Sequence, residues 1–157
     1  MITKADWRAA GFEPAESAAW IAAEFDLASE AAEWRNAGFD PEAAETWHRA
    51  GFDPEAAETW RSYRFNDPEA AVGWRAAGFD DLVAADWRAA GFEPEAATAW
   101  HATGFYICSD AADWHRAGFE PEAATAWHAA RLDPTEAADW RTAGFTPAEA
   151  GMLTSIG

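Results

Sequence analysis

Four histidines, one cysteine and recurrent Asp/Glu-Pro-Glu turns are the residues of this 157-residue chain whose types could do chemistry. His48, His101, His115 and His128 each follow a tryptophan directly, at a position usually occupied by Arg elsewhere in the chain. A zinc ion would need two or more of them at about 2.0–2.1 Å. Their spread along the sequence, and their free replacement by Arg, argue against such a cluster. Each is read instead as a solvated cation that compensates the dipole near a helix C-terminus. Cys108 has no histidine beside it to act as a base, and a reactive thiol needs an electropositive setting. It is assigned a structural role on a connection beside Tyr106 and Ile107. The Asp/Glu-Pro-Glu turns lack the dense carboxylate spacing and the bidentate twelfth ligand of a calcium loop. The sequence carries no Gly-rich phosphate loop, Ser-His-Asp arrangement or helical His-Glu-x-x-His. The expectation is a non-enzyme with no catalytic, cofactor-binding or metal-binding residue.

The aromatic residues then have to be explained as architecture. Trp stands at positions 7, 20, 34, 47, 60, 74, 87, 100, 114, 127 and 140, at intervals of 13 or 14 residues, within a consensus W-[R/H]-x-A-G-F-[D/E]-P-E-A-A-x-x. Each unit predicts one short helix. In the stretch from Phe39 to Gly51, Asp40 is placed as N-cap and Pro41 at the first helical position, where its missing N–H costs nothing. Glu42 follows at the positive end of the helix dipole, and Gly51 supplies the left-handed residue that ends the helix. At about 100° per residue, Trp47 centres a buried stripe with Ala43, Ala44 and Ala50, while Glu42, Glu45, His48 and Arg49 face solvent. Phe39 and Phe52 plug the corners between helices. The helices should be roughly ten residues long with connections of about three, too short to be stable without packing.

The longer intervals begin at Trp20, Trp60 and Trp100, so every third unit carries one extra residue after its Phe. In the first and third of these corners Ser29 and Ser109 are read as N-caps. A period of three units predicts an all-α superhelical solenoid of tandem single-helix repeats, with about three helices per turn and a triangular section. Antiparallel helix pairs would instead give a period of two. At the two ends, the ITKADW segment supplies a truncated first helix, and Thr146-Pro147 starts a last one in which Leu153 stands near the Trp position.

Twenty-eight acids against eleven bases leave a net charge of -17, which repels nucleic acid and anionic membrane alike and favours a basic protein partner. A single Cys excludes an internal disulfide, no apolar run is long enough to span a bilayer, and the start lacks the pattern of a signal peptide. A cytoplasmic protein forming one repeat domain over residues 1–157 is expected.

The W-R-A-A-G-F-x-P-E-A-A units resemble the short, Trp-anchored tandem helical repeats of uncharacterised bacterial proteins and, more loosely, the α-solenoid class. The resemblance spans the chain and implies a structural or protein–protein interaction scaffold; it brings no catalytic residue and names no partner. The consensus breaks in the segments 60–67, 100–110 and 127–134, which makes Arg64, Tyr106 and Ile107 the candidate interaction surface. Two alternatives stand beside the scaffold. One is an acidic mimic of DNA that occupies a DNA-binding protein, and the other is self-assembly through the ends into filaments.

Overall fold

A computed structural model describes residues 3–157. They form twelve helices: α1 (Lys4–Ala9), α2 (Pro14–Ala22), α3 (Ala28–Asn36), α4 (Pro41–Arg49), α5 (Pro54–Ser62), α6 (Pro68–Ala76), α7 (Asp81–Ala89), α8 (Pro94–Ala102), α9 (Cys108–Arg116), α10 (Pro121–Ala129), α11 (Pro134–Thr142) and α12 (Pro147–Ser155). They pack as two compact units, residues 1–81 and residues 82–157. Within the first unit α3 packs on α4 and α4 on α5; within the second α9 packs on α10, α10 on α11 and α11 on α12. The class is therefore an all-α tandem repeat with solenoid-type packing of successive helices.

Each helix begins and ends by local chemistry. Asp40 and Asp53 accept hydrogen bonds from the amides of Ala43 and Ala56, both at 2.8 Å, and Pro41 and Pro54 fill the first helical position. Glu13, Glu93 and Glu120 occupy the same N-cap position but make no side-chain cap, their carboxylates standing one methylene farther from the backbone. At the other end, the Gly51 amide donates to His48 C=O at 2.9 Å and the Phe52 amide to Trp47 C=O at 3.1 Å. These two bonds define a Schellman termination, whose accompanying apolar contact joins the second residue past the cap to the third residue from the helix end. Here those residues are Phe52 and Trp47, in an edge-to-face contact with ring centroids 5.0 Å apart. The W-x-x-A-G-F spacing is thus the signature of the helix stop itself.

The core follows from the same repeat. Trp34, Trp47, Trp60 and Trp74 are buried, as are Ala31, Ala44, Ala57 and Ala71, each one turn earlier on the same helix face. The second unit repeats this with Trp87, Trp100, Trp114 and Trp127 over Ala84, Ala97, Ala111 and Ala124. Ala contributes little area, but it lets a neighbouring helix approach closely enough to enclose the indole. Ala43 and Ala50 are only half-buried, so the fully buried stripe is narrower than the sequence suggests. Phe39 and Phe52 are buried at their corners, and each Phe also meets the next Trp along the chain, as in Phe52–Trp60 at 6.2 Å.

Three expectations need correction. The helices are nine residues long, apart from the six of α1, and the standard connection is four residues, as in 50–53. Ser29 and Ser109 are not N-caps. Leu27 and Ile107 hold that position, and each serine is the second helical residue. Cys108 does not lie on a connection but opens α9, at the place that Pro68 takes in α6. The extra residue lengthens the corner before the helix and leaves the helix length unchanged.

Candidate interaction surface

The Arg that follows Trp34, Trp60, Trp74 and Trp140 has a role that its spacing did not reveal. On α3, Arg35 lays its guanidinium 3.9 Å over the Phe12 ring and donates to Gly11 C=O at 3.2 Å and Ala10 C=O at 3.1 Å. Arg61 on α5 repeats this over Phe39, donating to Gly38 C=O at 3.1 Å, and Arg141 on α11 over Phe119, donating to Gly118 and Ala117 C=O at 3.0 and 3.2 Å. Arg75 stacks 3.9 Å over Phe52. Each cation closes the corner that ends the helix two before its own. It compensates a helix dipole, as expected, but the dipole belongs to another helix.

Histidine occupies the same seat. His48 meets Phe25 with ring centroids 5.5 Å apart and His115 meets Phe92 at 5.6 Å, both tilted, and His128 meets Phe105 edge-to-face at 5.7 Å. These three imidazoles reach a ring two helices back while remaining exposed, in the position that Arg takes at other corners. No group of three or more His, Cys, Asp or Glu side chains is placed to hold a metal ion among the described residues.

Within residues 82–157, two of the consensus-breaking segments come together. The corner before α9 and the corner before α11 flank an open groove of about 740 Å³ lined by Tyr106, Ile107, Phe105, Trp114 and Leu132, with Asp110, Asp113, Arg131 and Asp133 at its edges. Tyr106 and Ile107 are 67% and 60% exposed, whereas Phe105 and Leu132 are buried, so the groove has an apolar floor and a projecting apolar lip. Tyr106 is steadied by an edge-to-face contact with His101 at 4.7 Å. Asp113 pairs with Arg116 at 2.9 Å, and this exposed pair contributes little energy.

Arg64 stands on an exposed corner of the first unit, while Tyr106 and Ile107 share the groove of the second. Arg64 and the groove residue Arg131 nevertheless have something in common. Both occupy the left-handed position that other corners give to Gly, at φ 68° and 63°. Glu24 takes the same position at φ 67°. The fold and this surface define a Trp-anchored tandem helical repeat protein of the α-solenoid type. Searches of known protein families, curated proteins and solved structures find no match for the chain.

Proposed function

We propose that the chain is a non-enzymatic interaction scaffold that binds a basic protein segment at the Tyr106–Ile107 groove. The observation that carries this reading is the pairing of two broken corners around one apolar-floored groove with a mainly acidic edge. An apolar side chain would enter beside Ile107 and Leu132, and flanking Lys or Arg would face Asp110 and Asp133. Exposed aromatic and apolar residues beside a buried floor are the usual anchors of such contacts.

The surface elsewhere supports a second reading, the acidic mimic of DNA, because Glu42, Glu55, Glu58, Glu69, Glu95 and Glu122 recur at exposed offsets. Affinity capture with the wild type and with Ile107→Asp, over a salt series, separates the two. Groove binding predicts partners that are lost with Ile107→Asp. Mimicry predicts basic, salt-sensitive partners that are retained by that variant, and partners indifferent to both changes would contradict both readings.

Three finer points belong to the same reading. The long corners form a class of their own: Leu27, Asp67 and Ile107 have ψ of 118–124°, against 167° at Asp40 and Asp53, and this recurrence supports three helices per turn. The Trp spacing continues unchanged from Trp74 to Trp87, which supports treating residues 1–157 as one repeat domain. Among the described residues no helix is long and apolar enough to cross a membrane, and a cytoplasmic scaffold is the reading that we carry forward.

A further inference from the structure

The segment that builds the lip of the Ile107 groove has a counterpart in the first unit. Residues 27–34 read L-A-S-E-A-A-E-W and residues 107–114 read I-C-S-D-A-A-D-W, whereas the middle long corner has Asp67 at the first of these places and Pro68 at the second. The two segments fold alike. Leu27 and Ile107 each hold the N-cap place, with ψ of 124° and 118°, and are 56% and 60% exposed. Behind them Phe25 and Phe105 are buried, as are Trp34 and Trp114, and Phe52 stands buried at the position that Leu132 takes in the groove. The flanking imidazole repeats as well, His48 meeting Trp34 edge-to-face at 6.2 Å and His128 meeting Trp114 at 6.3 Å. Each unit thus has an exposed aliphatic residue projecting beside a buried aromatic floor.

The charge around the two floors differs in amount and not in sign. Glu30, Glu33 and Asp53 hold the positions of Asp110, Asp113 and Asp133, and Asp26 and Glu45 hold those of Tyr106 and Thr125. Of these, Glu30 faces His48 Nδ1 at 3.5 Å, Glu45 pairs with Arg49, and Asp53 accepts from the Ala56 amide. One arginine borders each floor: Arg131 lines the groove, and Arg75 of α6 lies 3.9 Å over Phe52. From Glu33 and Asp53 an open cleft of about 490 Å³ continues to Asn36, Glu55 and Glu58, and every charged residue on its lining is acidic. A long cationic side chain beside an apolar anchor therefore finds carboxylates and room at Leu27, as it does at Ile107.

We infer that the first unit carries a second seat for the same class of partner, a basic protein segment whose apolar side chain rests on Leu27 and whose flanking Lys or Arg face Glu33 and Asp53. The inference rests on the reading of the Ile107 groove and extends it: one chain holds two such segments, one in each unit. Because Asp26 and Glu45 replace uncharged residues, the Leu27 seat draws more of its affinity from charge and loses more of it to screening. The middle long corner has no such seat, since Asp67 stands where the apolar anchor would be.

The test is calorimetric titration of a lysine-rich peptide with a single central leucine into the 157-residue chain, into Leu27→Asp, into Ile107→Asp and into the double variant. Asp is what the middle long corner carries at this place, where the Asp67 carboxylate accepts from the Glu69 amide at 3.0 Å, so the variants should keep their helicity by circular dichroism. It also adds negative charge, so weaker binding of a cationic peptide reports the loss of the apolar anchor. The wild type is expected to take two peptides per chain and each single variant one. The double variant should bind at least about tenfold more weakly. The peptide kept by Ile107→Asp should lose affinity more steeply with salt than the one kept by Leu27→Asp. A wild type that takes one peptide, lost with Ile107→Asp and untouched by Leu27→Asp, would overturn the second seat and leave the groove standing. One peptide lost with Leu27→Asp and untouched by Ile107→Asp would overturn the groove and keep the Leu27 seat alone. Binding that ignores both substitutions, or no binding by the wild type, would overturn both.

Discussion

At eight corners of the described chain a glycine takes φ of 84–99°, and at three others the same position holds Glu24, Arg64 or Arg131 at 63–68°. An L-residue in that region costs about 1–2 kcal/mol, while glycine loses about 0.5–1 kcal/mol more backbone entropy on folding. Arg131→Gly should therefore stabilise the chain by about 0.5–1 kcal/mol, and Gly51→Ala should destabilise it by about 1–2 kcal/mol, both read by Trp fluorescence in guanidinium. Arg131 also lines the groove, so its replacement is expected to trade binding for stability. The left-handed residue was legible at Gly51 because glycine announces it. At Arg131 the fixed distance from Trp127 carried the same information, and only the residue type concealed it. The pairing of Arg35 or His48 with a Phe two helices back was not legible, because it joins residues that no local pattern links.

At the scale of the element, the helix is specified almost completely by short-range chemistry, which is why its existence, caps and stop were readable at Asp40, Pro41 and Gly51. The N-caps at Leu27 and Ile107 were not, since serine is the better capping residue by type. The signal that would have found them is Pro68, which marks the first helical position in the middle long corner and stands forty residues from both Ala28 and Cys108. The uncapped glutamates give a clear expectation: Glu93→Asp and Glu120→Asp should each stabilise by about 0.5–1 kcal/mol by supplying the bond that Asp53 makes. An unchanged melting curve would show that the cap position is already satisfied. Trp74→Ala removes the largest buried group of α6 and should cost about 3–5 kcal/mol. In α12 the Thr146 amide, at 2.8 Å, and then its hydroxyl, at 3.0 Å, hold the Glu149 carboxyl below the ordinary glutamate range. That cap is fully present above the unfolded carboxyl's pKa and is lost as pH falls through the lowered folded value. An NMR titration should place the Glu149 midpoint below that of a free glutamate, and Thr146→Ala should return it toward normal.

For the whole molecule the net charge of -17 decides which partners can approach. Like-charged copies repel, and added salt shortens that repulsion from about 30 Å at 0.01 M to about 8 Å at 0.15 M. The same screening weakens attraction to a basic partner, so a basic segment should leave the groove edged by Asp110 and Asp133 as salt is raised. A binding titration over a salt series would show the affinity of a basic segment falling as salt rises. The corners share one structural claim, that an Arg or His after a Trp closes the corner two helices earlier. A double-mutant cycle of Arg61→Met and Phe39→Leu tests that claim most directly. The contact predicts a coupling of about 0.5–1 kcal/mol or more in unfolding free energy, whereas two strictly additive substitutions would contradict it.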